Sequence, residues 1–75
     1  MSDKSHMHAA LVRAIEQIGG LTKTARVTGC TPQAVYQWEI CPYGRVLAIE
    51  SATDGQVSRY ELRPDIYGPA PQVPA

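Results

Sequence analysis

Gln33 and Gln37 stand four residues apart in the stretch TPQAVYQ, Thr31 to Gln37. On a helix that spacing puts both carboxamides on one face. Each presents a donor and an acceptor side by side. That arrangement pairs bidentately with N6 and N7 of an adenine, while Ala34 or Pro32 beside them can touch a thymine methyl. Tyr36 adds a phenol suited to a phosphate or a base edge, and Thr31 a hydroxyl at the start of the run. The chemistry on offer is recognition of a polar edge, with no bond made or broken. The same residues also suit blander work: glutamines are ordinary on a solvated helix face, and a tyrosine can lie flat over apolar surface.

Bond-making chemistry has little support elsewhere. A chain of 75 residues buries one modest core and no deep catalytic cavity. Its Asp and Glu residues scatter without pairing and Cys41 has no evident base, so an enzyme is not expected. His6, His8 and Cys41 lack the second spaced pair of a zinc site, and no metal or other cofactor is expected. Cys30 and Cys41 are too few for a secreted disulfide framework and form no CxxC pair, so both read as reduced. No apolar run approaches the roughly 18 residues of a membrane span, and the N-terminus lacks a signal-peptide core. A soluble cytoplasmic protein is expected. Seven basic and seven acidic residues cancel, so no global positive field advertises nucleic acid. Their distribution is uneven. Up to Arg45 five bases stand against three acids, and beyond it two against four, which points to different work for the two halves.

The elements that must position these side chains read as helices. MSDKSHMH, residues 1–8, is expected to be a mobile lead outside the fold. Ala10, Leu11, Ala14, Ile15 and Ile18 form an apolar stripe at helical spacing, stopped by Gly19 and Gly20. A second helix runs from about Leu21 to Thr28. Its threonines make it poor by intrinsic propensity, so packing must hold it. Gly29 turns the chain. Thr31 is a good N-cap and Pro32 suits the first helical position, opening a third helix whose Val35 and Trp38 face inward. A fourth helix is expected from after Pro42 to about Ala52, burying Val46, Leu47 and Ile49, with TDG at Thr53 to Gly55 closing it. Ser58 with Glu61 is a capping box for a short helix SRYEL that Arg63 and Pro64 end. A short hairpin is the alternative for this last stretch. Residues 68–75, GPAPQVPA, read as a mobile Pro-rich tail.

Helix, glycine turn and helix in the middle of an all-helical domain make a helix-turn-helix. Ala25, four residues before Gly29, is small enough for close helix crossing. Cys30 fits as a small apolar residue buried under the turn. Val35 and Trp38 lie six and nine residues beyond the glycine, on the inner face, with Trp38 in the core.

On LVRAIEQIGG, GCTPQAVYQWE and RVLAIESATDGQVSRYELRPDIYG, the chain resembles the YdaS-type, Cro-like phage repressors of the lambda-repressor-like superfamily, over roughly Leu11 to Tyr67. Thr24 and Thr28 stand where such proteins usually carry larger apolar residues, and CPYGRV replaces a more conventional linker. The resemblance implies a compact five-helix lambda-repressor-like domain over residues 9–67. It also implies a bacterial or phage-encoded transcriptional repressor that binds a double-stranded DNA operator, usually as a two-fold dimer. Family members are also labelled antitoxins beside a neighbouring toxin gene.

In a helix-turn-helix the second helix enters the major groove with its N-terminal residues at base edges. That places Thr31, Pro32, Gln33, Ala34, Tyr36 and Gln37 against bases. Thr22 and Lys23 with the amides opening the second helix, then Arg45 and Arg26, are the phosphate candidates. One such domain makes few phosphate contacts, so pairing on adjacent half-sites is expected, with Tyr60, Leu62, Ile66 and Tyr67 as dimer candidates. Those four could instead close the core against the first helix. The rival reading is an antitoxin-like or regulatory protein-interaction module. It would use the acidic half to hold a toxin or other protein, with DNA binding secondary.

Overall fold

Met7, Ala10, Leu11 and Ala14 recur at helical spacing, and all four are buried. They are the inner stripe of α1, Asp3–Ile18, which the other elements pack against. The computed structural model describes residues 3–68. After α1 come α2 (Leu21–Thr28), α3 (Pro32–Gln37), a single 3-10 turn (Tyr43–Arg45), α4 (Val46–Ala52), α5 (Arg59–Leu62) and α6 (Pro64–Tyr67). The chain is all-α, with no strand among the described residues. No helix among them is long and apolar enough to cross a membrane.

The first helix starts earlier than the sequence suggests. It takes in most of the segment expected to be a mobile lead, and Met7 lies in the interior. Met7 is one turn before Ala10 and Leu11, so it extends the same stripe. Two polar contacts dress this end: the His8 ring Nδ1 donates to the Glu39 carbonyl at 2.7 Å, and Lys4 lies 3.6 Å from the Glu39 carboxylate. Both side chains of the ion pair are mostly exposed, so it adds little. The expected tail lies outside the described residues, apart from Gly68, whose N–H closes α6 on Pro64.

In α2 two of the three threonines are buried. Thr24 and Thr28 face the interior with Ala25. Each hydroxyl donates to a carbonyl one turn back, Thr24 to Gly20 at 2.8 Å and Thr28 to Thr24 at 2.8 Å. Back-bonding of this kind satisfies a hydroxyl that burial would otherwise leave costly, so threonines can stand where larger apolar residues were expected. Gly29 then adopts φ 72°, ψ 24°, and Cys30 N–H reaches the Ala25 carbonyl at 2.9 Å. This left-handed end costs an L-residue about 1–2 kcal/mol, which accounts for the glycine.

Three further expectations need correction. Cys30 is only half-buried, and the fully buried thiol is Cys41, because the bend at Glu39 and Ile40 after α3 carries Cys41 into the core. Leu47 is 52% exposed. Val46 and Ile49 share the inner face of α4 at i, i+3, and Leu47 is rotated by about 100° from Val46. The helix opened by Ser58 ends at Arg63 as expected, and Pro64 takes the first position of a further short helix, α6, that the sequence reading did not include. There its missing N–H costs nothing. Leu62, a dimer candidate, is completely buried and cannot meet a second chain.

The core unites Ala10, Leu11 and Ala14 with Cys41, Val46, Ile49, Val57 and Leu62; Ile15, Ile18, Trp38 and Tyr67 pack at its edge. Each large apolar side chain buried this way contributes about 1.5–3 kcal/mol. The capping box is present: Ser58 Oγ accepts from Glu61 N–H, and Glu61 Oε2 accepts from Ser58 N–H, each at 3.3 Å. Glu61 Oε1 also receives Arg13 at 2.6 Å, so a local cap doubles as a tie between α5 and α1.

Candidate nucleic-acid interface

A six-residue helix has too few internal hydrogen bonds to persist alone. α3 is held by its cap, by its packing on α2 and by one buried anchor. Thr31 Oγ1 accepts from Ala34 N–H at 3.1 Å, Pro32 occupies the first helical position, and Val35 is buried on the inner side. Trp38 ends the helix, half-buried against the core. With Val35 pinned inward, the rest of α3 faces out. Thr31, Pro32, Gln33, Tyr36 and Gln37 are exposed and Ala34 half-buried. Tyr36 is 75% exposed, so it does not lie flat over apolar surface.

The phosphate candidates are all on the outside. Thr22, Lys23, Arg26 and Arg45 are exposed. No side chain caps the start of α2, whose N-cap is Gly20, so the first-turn amides there stay open to an anion. Arg45 is tied to the motif: its Nε donates to Cys30 Sγ at 3.3 Å, one residue before the cap of α3. The Arg45 guanidinium, with the Thr28 side-chain hydroxyl second, holds the Cys30 thiol below its ordinary pKa.

The charge balance resolves in three dimensions. Of the seven basic residues, four form ion pairs: Lys4 with Glu39, Arg13 with Glu61, Arg59 with Glu50 and Arg63 with Asp65. Lys23, Arg26 and Arg45 form none among the described residues. All three belong to α2 or to the turn bonded to the α2–α3 junction. No Asp or Glu stands between Leu21 and Trp38, so the charge that α2 and α3 themselves carry is positive although the whole chain is neutral. The Cys30–Arg45 contact and this ion pairing have no local sequence signal, since their partners are 15 to 48 residues apart except Arg63–Asp65 and Arg59–Glu50.

At the C-terminal end, Tyr60 and Tyr67 meet edge to face with centroids 6.5 Å apart. The Arg59 guanidinium lies 5.9 and 5.8 Å from the two ring centroids and is anchored by Glu50 at 3.0 Å. Both tyrosines are half-buried. Of the four dimer candidates only Ile66, 42% exposed, is a largely open apolar side chain. Among the described residues no three His, Cys, Asp or Glu side chains gather where they could hold a metal ion.

A protein-family model described as "Bacterial toxin YdaS" matches residues 11–71. The chain belongs to the YdaS family. An Escherichia coli (strain K12) relative named "Putative transcriptional regulator YdaS" is 43% identical over 58 residues. That match spans 72% of this chain but 59% of the relative's length. A solved structure, the Cro protein from a prophage element of Xylella fastidiosa strain Ann-1, is similar at a TM-score of 0.73 and 34% identity. The match covers 79% of this chain and 95% of that one, so the fold is Cro-like. The family's description names a toxin, which lends no support to the antitoxin role that the resemblance implied.

Proposed function

We propose that this YdaS-family chain is a sequence-specific DNA-binding transcriptional repressor of Cro and prophage type. It acts in the cytoplasm and binds a palindromic operator as a dimer, with α3 in the major groove. The observation that carries this is the joint geometry of α3 and the unpaired cations. One buried anchor, Val35, turns Gln33, Tyr36 and Gln37 outward, while Lys23, Arg26 and Arg45 around them form no ion pair among the described residues. Gln33 and Gln37 read adenines, each pair contributing about 1–3 kcal/mol of discrimination. Pro32 or Ala34 meets a thymine methyl, and Thr31 and Tyr36 complete the contact edge. Lys23 and Thr22 with the open amides of α2, then Arg45 and Arg26, grip phosphates and set the register. The Cro title of the similar structure and the regulator name of the E. coli relative support the same reading. Ile66, with the exposed edges of Tyr60 and Tyr67, supplies the dimer surface.

Selection from a random duplex library tests this, followed by Gln33→Ala and Gln37→Ala on the winning site. A palindromic winner with half-sites about one helical turn apart, whose preference the substitutions erase while non-specific binding persists, is the expected result. A preference unchanged in both variants rules out reading by α3. The absence of any enriched site favours the second reading, a protein-interaction module with secondary DNA binding. That reading draws on the zero net charge and the toxin description of the family.

A further inference from the structure

An apolar groove of about 300 Å³ opens between α1 and α3. Val12 and Glu16 line it from α1, Leu21 from the start of α2, and Val35, Tyr36 and Trp38 from α3 and its cap. Val12 is 40% exposed and Tyr36 75% exposed, so the walls reach solvent. The volume is at the lower end of small-ligand pockets, roughly 300–1,000 Å³. It accommodates one ring or a short alkyl chain and is too small to seat a helix of a second protein.

The charge lining the groove has one sign. Glu16 is exposed and forms no ion pair among the described residues. Neither Lys nor Arg lines the groove, and the nearest cation along α1, Arg13, is engaged by Glu61 at 2.6 Å. His8 also borders it, with Nδ1 committed to the Glu39 carbonyl. An apolar slot with Tyr36 and Trp38 on its α3 side and, from α1, a carboxylate that forms no ion pair among the described residues complements an ammonium on a small apolar body. The aromatic faces attract a cation and the carboxylate pairs with it. An anionic ligand of the same shape meets only repulsion.

We infer that this groove binds a small organic cation, an aromatic or alkyl ammonium whose apolar body lies against Trp38, Tyr36 and Val12 and whose charge faces Glu16. The inference stands independently of the proposed DNA reading and is tested on the free protein. Trp38 is the single tryptophan and lines the groove, so its fluorescence reports occupancy. The probes are 2-phenylethylammonium, 2-phenylethanol and 3-phenylpropionate, which carry similar apolar bodies with positive, zero and negative charge. The ammonium is expected to bind with a dissociation constant on the order of 1 mM, about five- to tenfold more tightly than the alcohol, and the carboxylate more weakly still. Glu16→Gln, on an exposed site that leaves the fold intact, reduces the preference for ammonium over alcohol to about twofold. Val12→Lys places a tethered ammonium one turn from Glu16 and weakens probe binding at least tenfold. Equal binding of all three probes, a preference that survives Glu16→Gln, or no saturable change of Trp38 emission up to about ten times that dissociation constant overturns the inference.

Discussion

Arg45→Gln should change how salt governs DNA binding, and Arg13→Gln should not. Each phosphate neutralised by a cation steepens the decline of log K with log salt by about 0.9. Lys23, Arg26 and Arg45 are exposed and form no ion pair among the described residues, so a dimer brings six such cations and a slope of about −5. Raising salt from about 50 to 200 mM then weakens binding by about 10³-fold. Arg45→Gln removes two of the six, leaving a slope of about −3.5 and a weakening of about 10² over the same range. Arg13 carries the same formal charge but is held by Glu61 at 2.6 Å on the α1–α5 side, so its removal leaves the slope near −5 (about the wild-type value). Fluorescence anisotropy with a labelled operator, titrated at four or five salt concentrations, measures all three slopes. Equal losses of slope in the two variants would refute the argument that the acids partition the cations into engaged and available sets. An Arg45→Gln slope equal to wild type would remove Arg45 from the phosphate contacts.

Three further outcomes follow from packing and titration. Leu62→Ala should cost about 2–5 kcal/mol, a large share of the roughly 4–11 kcal/mol expected for a domain of this length. Ile66→Ala should cost under about 1 kcal/mol; thermal melts compare them, and a dimer lost without loss of stability in Leu62→Ala would contradict its burial. Burial pushes the Cys41 thiol up to about 12, against a small opposing pull from Arg63, whereas Cys30 is lowered. A thiol reagent near neutral pH should therefore label Cys30 quickly and Cys41 only on unfolding, and mass spectrometry showing rapid double labelling would refute that placement. Arg13 and Arg63 hold the carboxyls of Glu61 and Asp65 below their ordinary range; burial pushes Glu50 up, but Arg59 more than offsets it. Depressed acids contribute stability above their unfolded-state pKa of about 4 and lose it as pH falls through the folded-state value. Urea melts should show that loss below about pH 4, smaller in Glu61→Gln, and a stability that rises on acidification would reverse the sign.

Much of the fold is written locally. The stripe of α1, the glycine after α2, the Thr-Pro entry to α3 and the Ser58–Glu61 box each depend on residues within a turn or two. Their physics, side-chain period, left-handed backbone and capping hydrogen bonds, acts over that range. The candidate contact edge was equally legible, because once Val35 is inward the helical repeat turns Gln33 and Gln37 outward. Where local reasoning misplaced a residue, a distant partner decided. Met7 is buried because α1 has neighbours to cover another turn. Leu47 is exposed because Val46 and Ile49 fill the available core. The further helix α6, absent from the sequence reading, follows Arg63, whose guanidinium is held on the Cys41 carbonyl 22 residues away.

By itself the sequence determined an all-helical chain with two short helices joined by a glycine turn at its centre and a polar face on the later of the two. Those properties are sums of short-range terms. Tertiary structure alone decided which thiol is buried, which apolar residues are free to meet another molecule, and which cations remain available. Burial and ion pairing depend on what lies across the core, and composition carries no record of that geometry. Only the fold sets Glu39, Glu50, Glu61 and Asp65 against four of the seven bases and leaves Lys23, Arg26 and Arg45 with no ion pair among the described residues.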